Sequence, residues 1–194
     1  MDKEYLNFLK DAYNGGLCNE YRDEIRRCHE DKLSLVRLAM RQQSIPYIAT
    51  KMHEGTITKE YVQKAFGGFL NGFILNDCDC VDGYTYAWYV DYAYDNGINL
   101  DVDVAHVSFT KDVDVIVSAT KCPVLYVSNG SKVRLICEGY NNINVKLFDE
   151  SELIVEDMDA SSNVVVYKYS DESKVERGKF CLKEPKVFVK ELRL

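Results

Sequence analysis

The sequence predicts an α+β protein in which a small helical bundle is followed by a short right-handed β-solenoid. Apolar residues recur at helical spacing over about the first 70 residues, and after residue 100 they alternate at the spacing of strands. A longer repeat of 20 to 22 residues overlies that alternation, which is typical of solenoids. We therefore expect a helical domain at residues 1–75, an aromatic capping strand or linker at 76–99 and the solenoid at 100–194.

The helical half contains start and stop signals for four or five short helices. Asp31 and Thr58 are candidate N-caps, because their side-chain oxygens can accept a hydrogen bond from a free N–H of the first turn. Pro46 suits the first turn of a helix, where its missing N–H has no consequence. The glycine pairs at 15–16 and 67–68 predict helix ends.

Two series of apolar residues carry the solenoid prediction. One series recurs every 21 residues: Val124, Val145, Val166 and Val187. The other recurs after 20, 20 and 22 residues: Val113, Val133, Leu153 and Val175. Such recurrence predicts that the same strand returns once per coil, so that each inward residue lies on its equivalent in the next coil. Residues 100–194 have room for about four coils of this length.

Polar residues repeat at the same interval. The stretches SNGS, DES and SDES fall at one corner of successive coils, where short polar side chains suit a tight turn. Outward residues at one coil position alternate in sign, so that stacked neighbours attract each other: Asp112, Lys132, Glu152 and Lys174. Asp114 and Arg134 repeat this pattern. A β-sandwich is the alternative fold, but antiparallel strands do not require equal intervals.

The two ends of a solenoid expose strand edges, which aggregate unless they are covered. We expect the helices to cover the N-terminal end. At the other end, the segment PKVFVKELRL contains Pro185 and charged side chains at Lys186, Lys190 and Arg193, which discourage edge pairing. The alternative is that this end is a self-association surface.

Charge and cysteine content bear on two questions: whether the protein binds nucleic acid, and in which compartment it is found. The net charge is −7, and residues 77–194 carry 13 Lys or Arg against 21 Asp or Glu, so nucleic-acid binding by this part is disfavoured. The seven cysteines are scattered and odd in number, which indicates a reducing compartment such as the cytoplasm. No signal peptide or membrane span is predicted, and we expect a soluble protein.

The strongest candidate binding site is the aromatic stretch GYTYAWYVDYAY at residues 83–94. Its aromatic side chains at alternate positions would share one face of a strand: Tyr84, Tyr86, Trp88, Tyr92 and Tyr94. Such a face could stack on sugar rings or bases. The alternative, which we favour, is a capping strand that closes the solenoid core.

No cofactor and no metal site are predicted. The segment NDCDCVDG at residues 76–83 lacks the ligand spacing of a zinc site or an EF-hand, and we interpret it as an acidic linker. His29, His53 and His106 lie far apart in the sequence and belong to no local nucleophilic motif.

No catalytic residue is predicted either. Glu150, Asp171 and Glu172 crowd one corner of the coils, where we interpret them as solvated turn residues, with a catalytic cluster as the alternative. Residues 45–66 could form two helices around a glycine turn, as in a DNA-binding helix-turn-helix. The nearly neutral charge of the helical half argues against that function.

The coil sequences NVKLFDESELIVEDMDASSNVVVYKYSDESKVERGKF resemble those of uncharacterised β-solenoid-like proteins from gut Bacteroides-type bacteria and their phages and mobile elements. The resemblance covers roughly residues 60–194 and rests on a repetitive motif, so it implies a fold. It implies no activity and no functional residue. It does imply a phage-related or mobile-element setting, in which the protein could be associated with virions.

These observations predict a non-enzymatic protein that presents a solenoid surface to a protein partner or to a second copy of itself, since repeats provide extended binding surfaces. A module that binds or cleaves glycans through residues 83–94 is the second candidate. A small DNA-binding regulator that uses residues 45–66 is the third.

Overall fold

The computed structural model describes residues 19–28, 31–66, 71–75, 84–92, 97–118 and 123–191, together with single residues at positions 7, 10 and 14. Within these ranges, residues 19–21, 65–66 and 71–75 are described by their backbone alone.

Four short helices open the described part of the chain: α1 (Asn19–Arg27), α2 (Lys32–Met40), α3 (Ile45–His53) and α4 (Lys59–Phe66). The predicted caps are confirmed. Asp31 Oδ1 accepts the N–H of Leu33 at 3.0 Å before α2, and Thr58 Oγ1 accepts the N–H of Tyr61 at 3.1 Å before α4. Pro46 lies in the first turn of α3, where it removes no intrahelical hydrogen bond.

Twelve strands are described: β1 (Asn71–Leu75), β2 (Tyr86–Val90), β3 (Ile98–Asn99), β4 (Val104–Ser108), β5 (Val113–Val117), β6 (Val124–Ser128), β7 (Lys132–Cys137), β8 (Asn142–Leu147), β9 (Glu152–Asp157), β10 (Asn163–Lys168), β11 (Lys174–Arg177) and β12 (Lys186–Val189). They form a seven-stranded sheet in the order β1-β2-β4-β6-β8-β10-β12 and a five-stranded sheet in the order β11-β9-β7-β5-β3. From β2 onward, successive strands alternate between the two sheets.

The alternation of strands between two parallel sheets defines a β-solenoid of about five coils. The strand pairs are parallel except that β1 runs antiparallel to β2. The predicted fold class is therefore confirmed, and the alternative β-sandwich is not supported. The coil count exceeds the four estimated from residue 100, because Trp88 of β2 already pairs in parallel register with His106 of β4.

The register confirms one of the two predicted columns in full. Val113, Val133, Leu153 and Val175 lie opposite one another on β5, β7, β9 and β11. In the other column, Val145, Val166 and Val187 are in register, but the prediction for Val124 is wrong. Val124 pairs with Asn144, and Leu125 takes the place above Val145. The return from β6 to β8 is one residue shorter than the later returns, so Val124 faces the helices instead of the solenoid core.

The predicted charge ladder is confirmed on the outer face of the five-stranded sheet. Glu152 Oε2 lies 3.5 Å from Lys132 Nζ, and Glu152 Oε1 lies 2.9 Å from Lys174 Nζ. In the neighbouring column, Arg134 forms a bidentate pair with Asp114, with Nε 2.8 Å from Oδ1. Opposite charges on adjacent strands favour this register over its alternatives.

The protein has two apolar cores, one on each side of the seven-stranded sheet. The inner core lies between the two sheets and is built from alternate strand residues such as Val115, Leu135 and Val155. The second core lies between the helices and the outer face of the seven-stranded sheet, where Val36 and Met52 pack in one cluster with Trp88. The helices therefore cover the outer face of the seven-stranded sheet at the N-terminal coils, and coverage of the end of the solenoid stays a prediction.

Candidate functional site

A single column of large side chains runs along the outer face of the seven-stranded sheet, one residue per coil. In strand register, from β2 to β12, the column consists of Trp88, His106, Tyr126, Lys146, Tyr167 and Phe188. Trp88, His106 and Tyr126 are buried beneath the helices, whereas Phe188 is 47% exposed. The helices thus cover the first half of this face and leave the last coils open.

Aromatic and cation–π contacts link the members of this column. The rings of Trp88 and His106 stack with their centroids 5.5 Å apart, and those of Tyr167 and Phe188 stack at 5.7 Å. Lys146 Nζ donates to Tyr126 Oη at 2.8 Å and lies 4.7 Å from the centre of that ring. Its pKa is lowered by burial. With the edge contact of His106 and Tyr126, whose ring centroids lie 6.4 Å apart, these contacts form two packed groups: one from Trp88 to Lys146, and one of Tyr167 with Phe188.

Among the described residues, no further coil covers the C-terminal end of the solenoid. Val187 continues a column whose earlier members, Val145 and Val166, are fully buried, yet Val187 is 44% exposed and Val189 is 68% exposed. Leu182, in the loop before β12, is 66% exposed. Val187 therefore occupies a core position that a further coil would cover.

The backbone at this end also lacks a partner on one side. Strand β12 pairs with β10, and no other described strand lies beyond it. Lys190 donates its N–H to Lys168 O at 2.8 Å. Because hydrogen-bonding groups alternate in direction along a parallel strand, the N–H and C=O groups of Val187 and Val189 point to the free edge. A second strand could therefore pair with β12.

The open end is basic within an acidic protein. Residues 174–191 contain six Lys or Arg and three Glu, a net charge of +3, so the remainder of the chain carries −10. Lys186 and Lys190 are exposed at the two ends of β12. No ion pair to either lysine is formed by the part of the chain that the structure describes, in contrast to Lys132 and Lys174 on the other sheet.

A buried polar network joins the helices to the coils. Ser128 Oγ lies 2.7 Å from His106 Nε2 and donates to Asn129 Oδ1 at 2.6 Å, which assigns the proton of His106 to Nε2. Asn129 Nδ2 donates to Ala49 O at 3.2 Å in α3. Burial lowers the pKa of His106 to about 3, so the imidazole is neutral at pH 7.

The predicted aromatic site is divided between surface and interior. Tyr86 and Trp88 are buried against the helices, and Trp88 Nε1 donates to Ser108 Oγ at 3.2 Å. Tyr84 is exposed, and Tyr92 is half-buried with its ring 5.1 Å from that of Tyr89. Tyr94 lies outside the described residues. The aromatic side chains therefore do not form one open face, and ligand binding by them stays a prediction.

At the acidic corner predicted from Glu150, Asp171 and Glu172, the structure adds two residues that the sequence analysis did not identify, Asp149 and His53. Glu150, Asp171 and Glu172 are exposed in turns. The half-buried carboxylate of Asp149 accepts the N–H of Asn129 at 3.1 Å, and burial raises its pKa. His53 Nδ1, from α3, lies 3.4 Å from Asp149 Oδ1. Among the described residues, no group of three His, Cys, Asp or Glu is arranged to hold a metal ion.

Polar side chains of the helical segment 45–66 contact Asp91, which follows β2. Lys59 Nζ lies 3.2 Å from Asp91 Oδ2, and Gln63 Nε2 donates to the same oxygen at 3.5 Å. Two polar side chains of this candidate DNA-binding segment thus lie beside a carboxylate of the same chain. Residues 76–83 and His29, which were considered for metal binding and catalysis, lie outside the described residues.

A cavity of about 300 Å³ lies on the outer face of the five-stranded sheet, lined by charged residues that include Asp112, Asp114, Lys132 and Arg134. These charges are already paired with one another. The cavity therefore offers few unsatisfied groups to a ligand.

The fold places the chain in the class of β-solenoid proteins. No family model, no curated protein and no solved structure matches it. None of the helices in the described ranges is long and apolar enough to cross a membrane.

Proposed function

We propose that this protein is a non-enzymatic interaction module that binds another protein at the open C-terminal end of its solenoid. The observation that carries the proposal is the combination, on β12, of a free backbone edge with the exposed apolar residues Val187 and Val189. An extended segment of a partner would gain backbone hydrogen bonds and bury these side chains, which is the usual mode of strand addition.

Two further features support this use of the end. The opposite edge strand of the same sheet, β1, is antiparallel to its neighbour β2, whereas β12 is parallel to β10, so the two edges of the sheet differ. The charged side chains on the outer face of the other sheet pair with one another, as at Lys132 and Glu152, whereas Lys186 and Lys190 form no ion pair among the described residues. A phage or mobile-element setting is supported by the resemblance of the coil sequences alone.

The experiment is an unbiased selection of displayed 12-residue peptides on the full chain. The blocked variant is Val189→Pro, which removes an N–H from the free edge without removing one that bonds to β10. Val189→Thr is the matched control, because it changes the side chain and keeps that N–H. Thermal unfolding by circular dichroism establishes that all three proteins are folded.

Peptides enriched on the wild type and on Val189→Thr, but not on Val189→Pro, would support the proposal. Absence of enrichment, or equal enrichment on the blocked variant, would refute it. Self-association is the first partner to test, and sedimentation velocity of the same three proteins over a concentration series measures it directly.

A further inference from the structure

We infer that the segment recognised by β12 is an extended strand in which apolar residues alternate with Asp or Glu. This inference rests on the proposed function and specifies the chemistry of the partner. The inference follows from the side chains of β12, which are apolar on its inner face and include two lysines on its outer face.

The inner face of β12 would pair best with apolar side chains on a partner strand. Val187 lies in register with Val166 and Val145, and both of these are fully buried by the coils on either side of them. A partner strand in register would place alternate residues against Val187 and Val189. At Val187, only an apolar residue would continue the column without burying an unpaired polar group, whereas Val189 lies beside Lys168 of β10.

The outer face of β12 would pair best with carboxylate side chains on a partner strand. Lys186 and Lys190 lie on either side of Phe188 and are exposed. Lys190 Nζ lies 5.3 Å from the ring of Tyr167 in β10, a contact that places the ammonium on the outer face. Acidic residues on the partner would meet both ammonium groups, and the net charge of +3 over residues 174–191 would attract an acidic segment from a distance.

The chain uses the same chemistry internally. On β5 and β7, Val113 pairs with Val133 on the inner face while Asp114 pairs with Arg134 on the outer face. An acidic amphipathic strand thus lies beside a basic amphipathic strand within the solenoid. Strand β12 is basic and amphipathic, and it lacks the acidic neighbour.

The same end of a second copy is a poorer match. If two β12 strands paired antiparallel about Phe188, Lys186 of one copy would lie opposite Lys190 of the other, at both ends of the pair. Like charges on opposed residues destabilise strand pairing. The arrangement of Lys186 and Lys190 about Phe188 is symmetric, so an acidic strand can satisfy both lysines in either direction.

The test uses two labelled peptides, Gly-Ser-Glu-Val-Thr-Val-Glu-Ser-Gly and its counterpart with Lys in place of both Glu, in fluorescence-anisotropy titrations of the full chain. We expect the acidic peptide to bind about tenfold more tightly than the basic one, because two cross-strand charge pairs change sign. The preference should shrink as salt is raised. It should reverse in Lys186→Glu/Lys190→Glu and persist in the equally charged control Lys64→Glu/Lys111→Glu, whose changes lie at exposed positions away from β12.

The outcomes separate this inference from the proposed function. Equal binding of the two peptides, or a preference that does not reverse in Lys186→Glu/Lys190→Glu, would overturn the inference and leave strand addition in place. Undiminished binding of the acidic peptide to Val189→Pro would overturn it too, since attraction without strand pairing would then suffice. If displayed peptides enriched at the edge are neutral or basic, the inference fails alone; if none is enriched, both proposals fail.

Discussion

Leu125 lies directly opposite Val145 in the neighbouring coil, and both side chains are fully buried in the inner core. Val124, one residue earlier, pairs with Asn144 and packs against the helices. Adjacent residues of one strand therefore serve two different cores. This arrangement makes the register of β6 measurable by substitution.

Leu125→Ala should lower the free energy of unfolding by about 3 kcal/mol, because it leaves a cavity in a closed column. Val124→Ala should lower it by only about 1 kcal/mol, because its side chain is partly exposed. Urea unfolding followed by circular dichroism measures both. Equal losses would contradict the register described here.

His106 should make the protein sensitive to mild acid. Its pKa is held at about 3 by burial, below the ordinary value of 6.5 that it regains on unfolding. As the pH falls, the imidazole of the unfolded state takes up a proton before that of the folded state does. The contribution of His106 to the free energy of unfolding is therefore complete above pH 6.5 and is lost as the pH falls toward 3. Relative to His106→Gln, the wild type should lose about 2 kcal/mol between pH 7 and pH 5. Chemical unfolding of both proteins at the two pH values measures this difference, and parallel pH profiles would count against the buried neutral imidazole.

Gly97 should tolerate alanine less well than Gly55. Both have positive φ, +77° and +73°, which costs an alanine about 1 kcal/mol. A Cβ at Gly97 would also lie 2.9 Å from Asp114 O, whereas one at Gly55 would meet nothing within 4 Å. Gly97→Ala should thus lower the free energy of unfolding by more than about 2 kcal/mol, and Gly55→Ala by about 1 kcal/mol. The reverse order would show that β5 does not pass close to Gly97.

The Asp114–Arg134 pair should contribute modestly to stability. A double-mutant cycle with Asp114→Ala and Arg134→Ala should give a coupling of about 0.5 kcal/mol, because both side chains remain partly exposed to water. The coupling should decrease in 1 M salt. No coupling at low salt would indicate that β5 and β7 do not pair in this register.

Trp88 is the only tryptophan of the chain and is 2% exposed. Its fluorescence should be blue-shifted, insensitive to iodide and unchanged by added sugars, because the helices shield it. Free tryptophan amide in the same buffer is the control. Strong quenching by iodide or by a sugar would show that the helical layer opens, and would restore the aromatic stretch as a binding surface.

The repeat in the sequence was sufficient to predict the solenoid, because stacking one coil on the next brings equivalent residues back after nearly equal intervals. The ladder through Lys132 and Glu152 was predictable for the same reason, and so were the caps at Asp31 and Thr58, whose hydrogen bonds are local. The position of Val124 was not predictable. A turn that is shorter by one residue leaves the periodicity nearly intact but moves each side chain to the other face.

The sequence by itself therefore determined the coil, its charged face and the short helices, all of which depend on local spacing. Only the tertiary structure decided which surfaces remain open. The helices pack over Trp88, which the sequence left available for a ligand, and they stop short of Phe188. Burial depends on contacts between segments far apart in the chain, and no short pattern records those contacts.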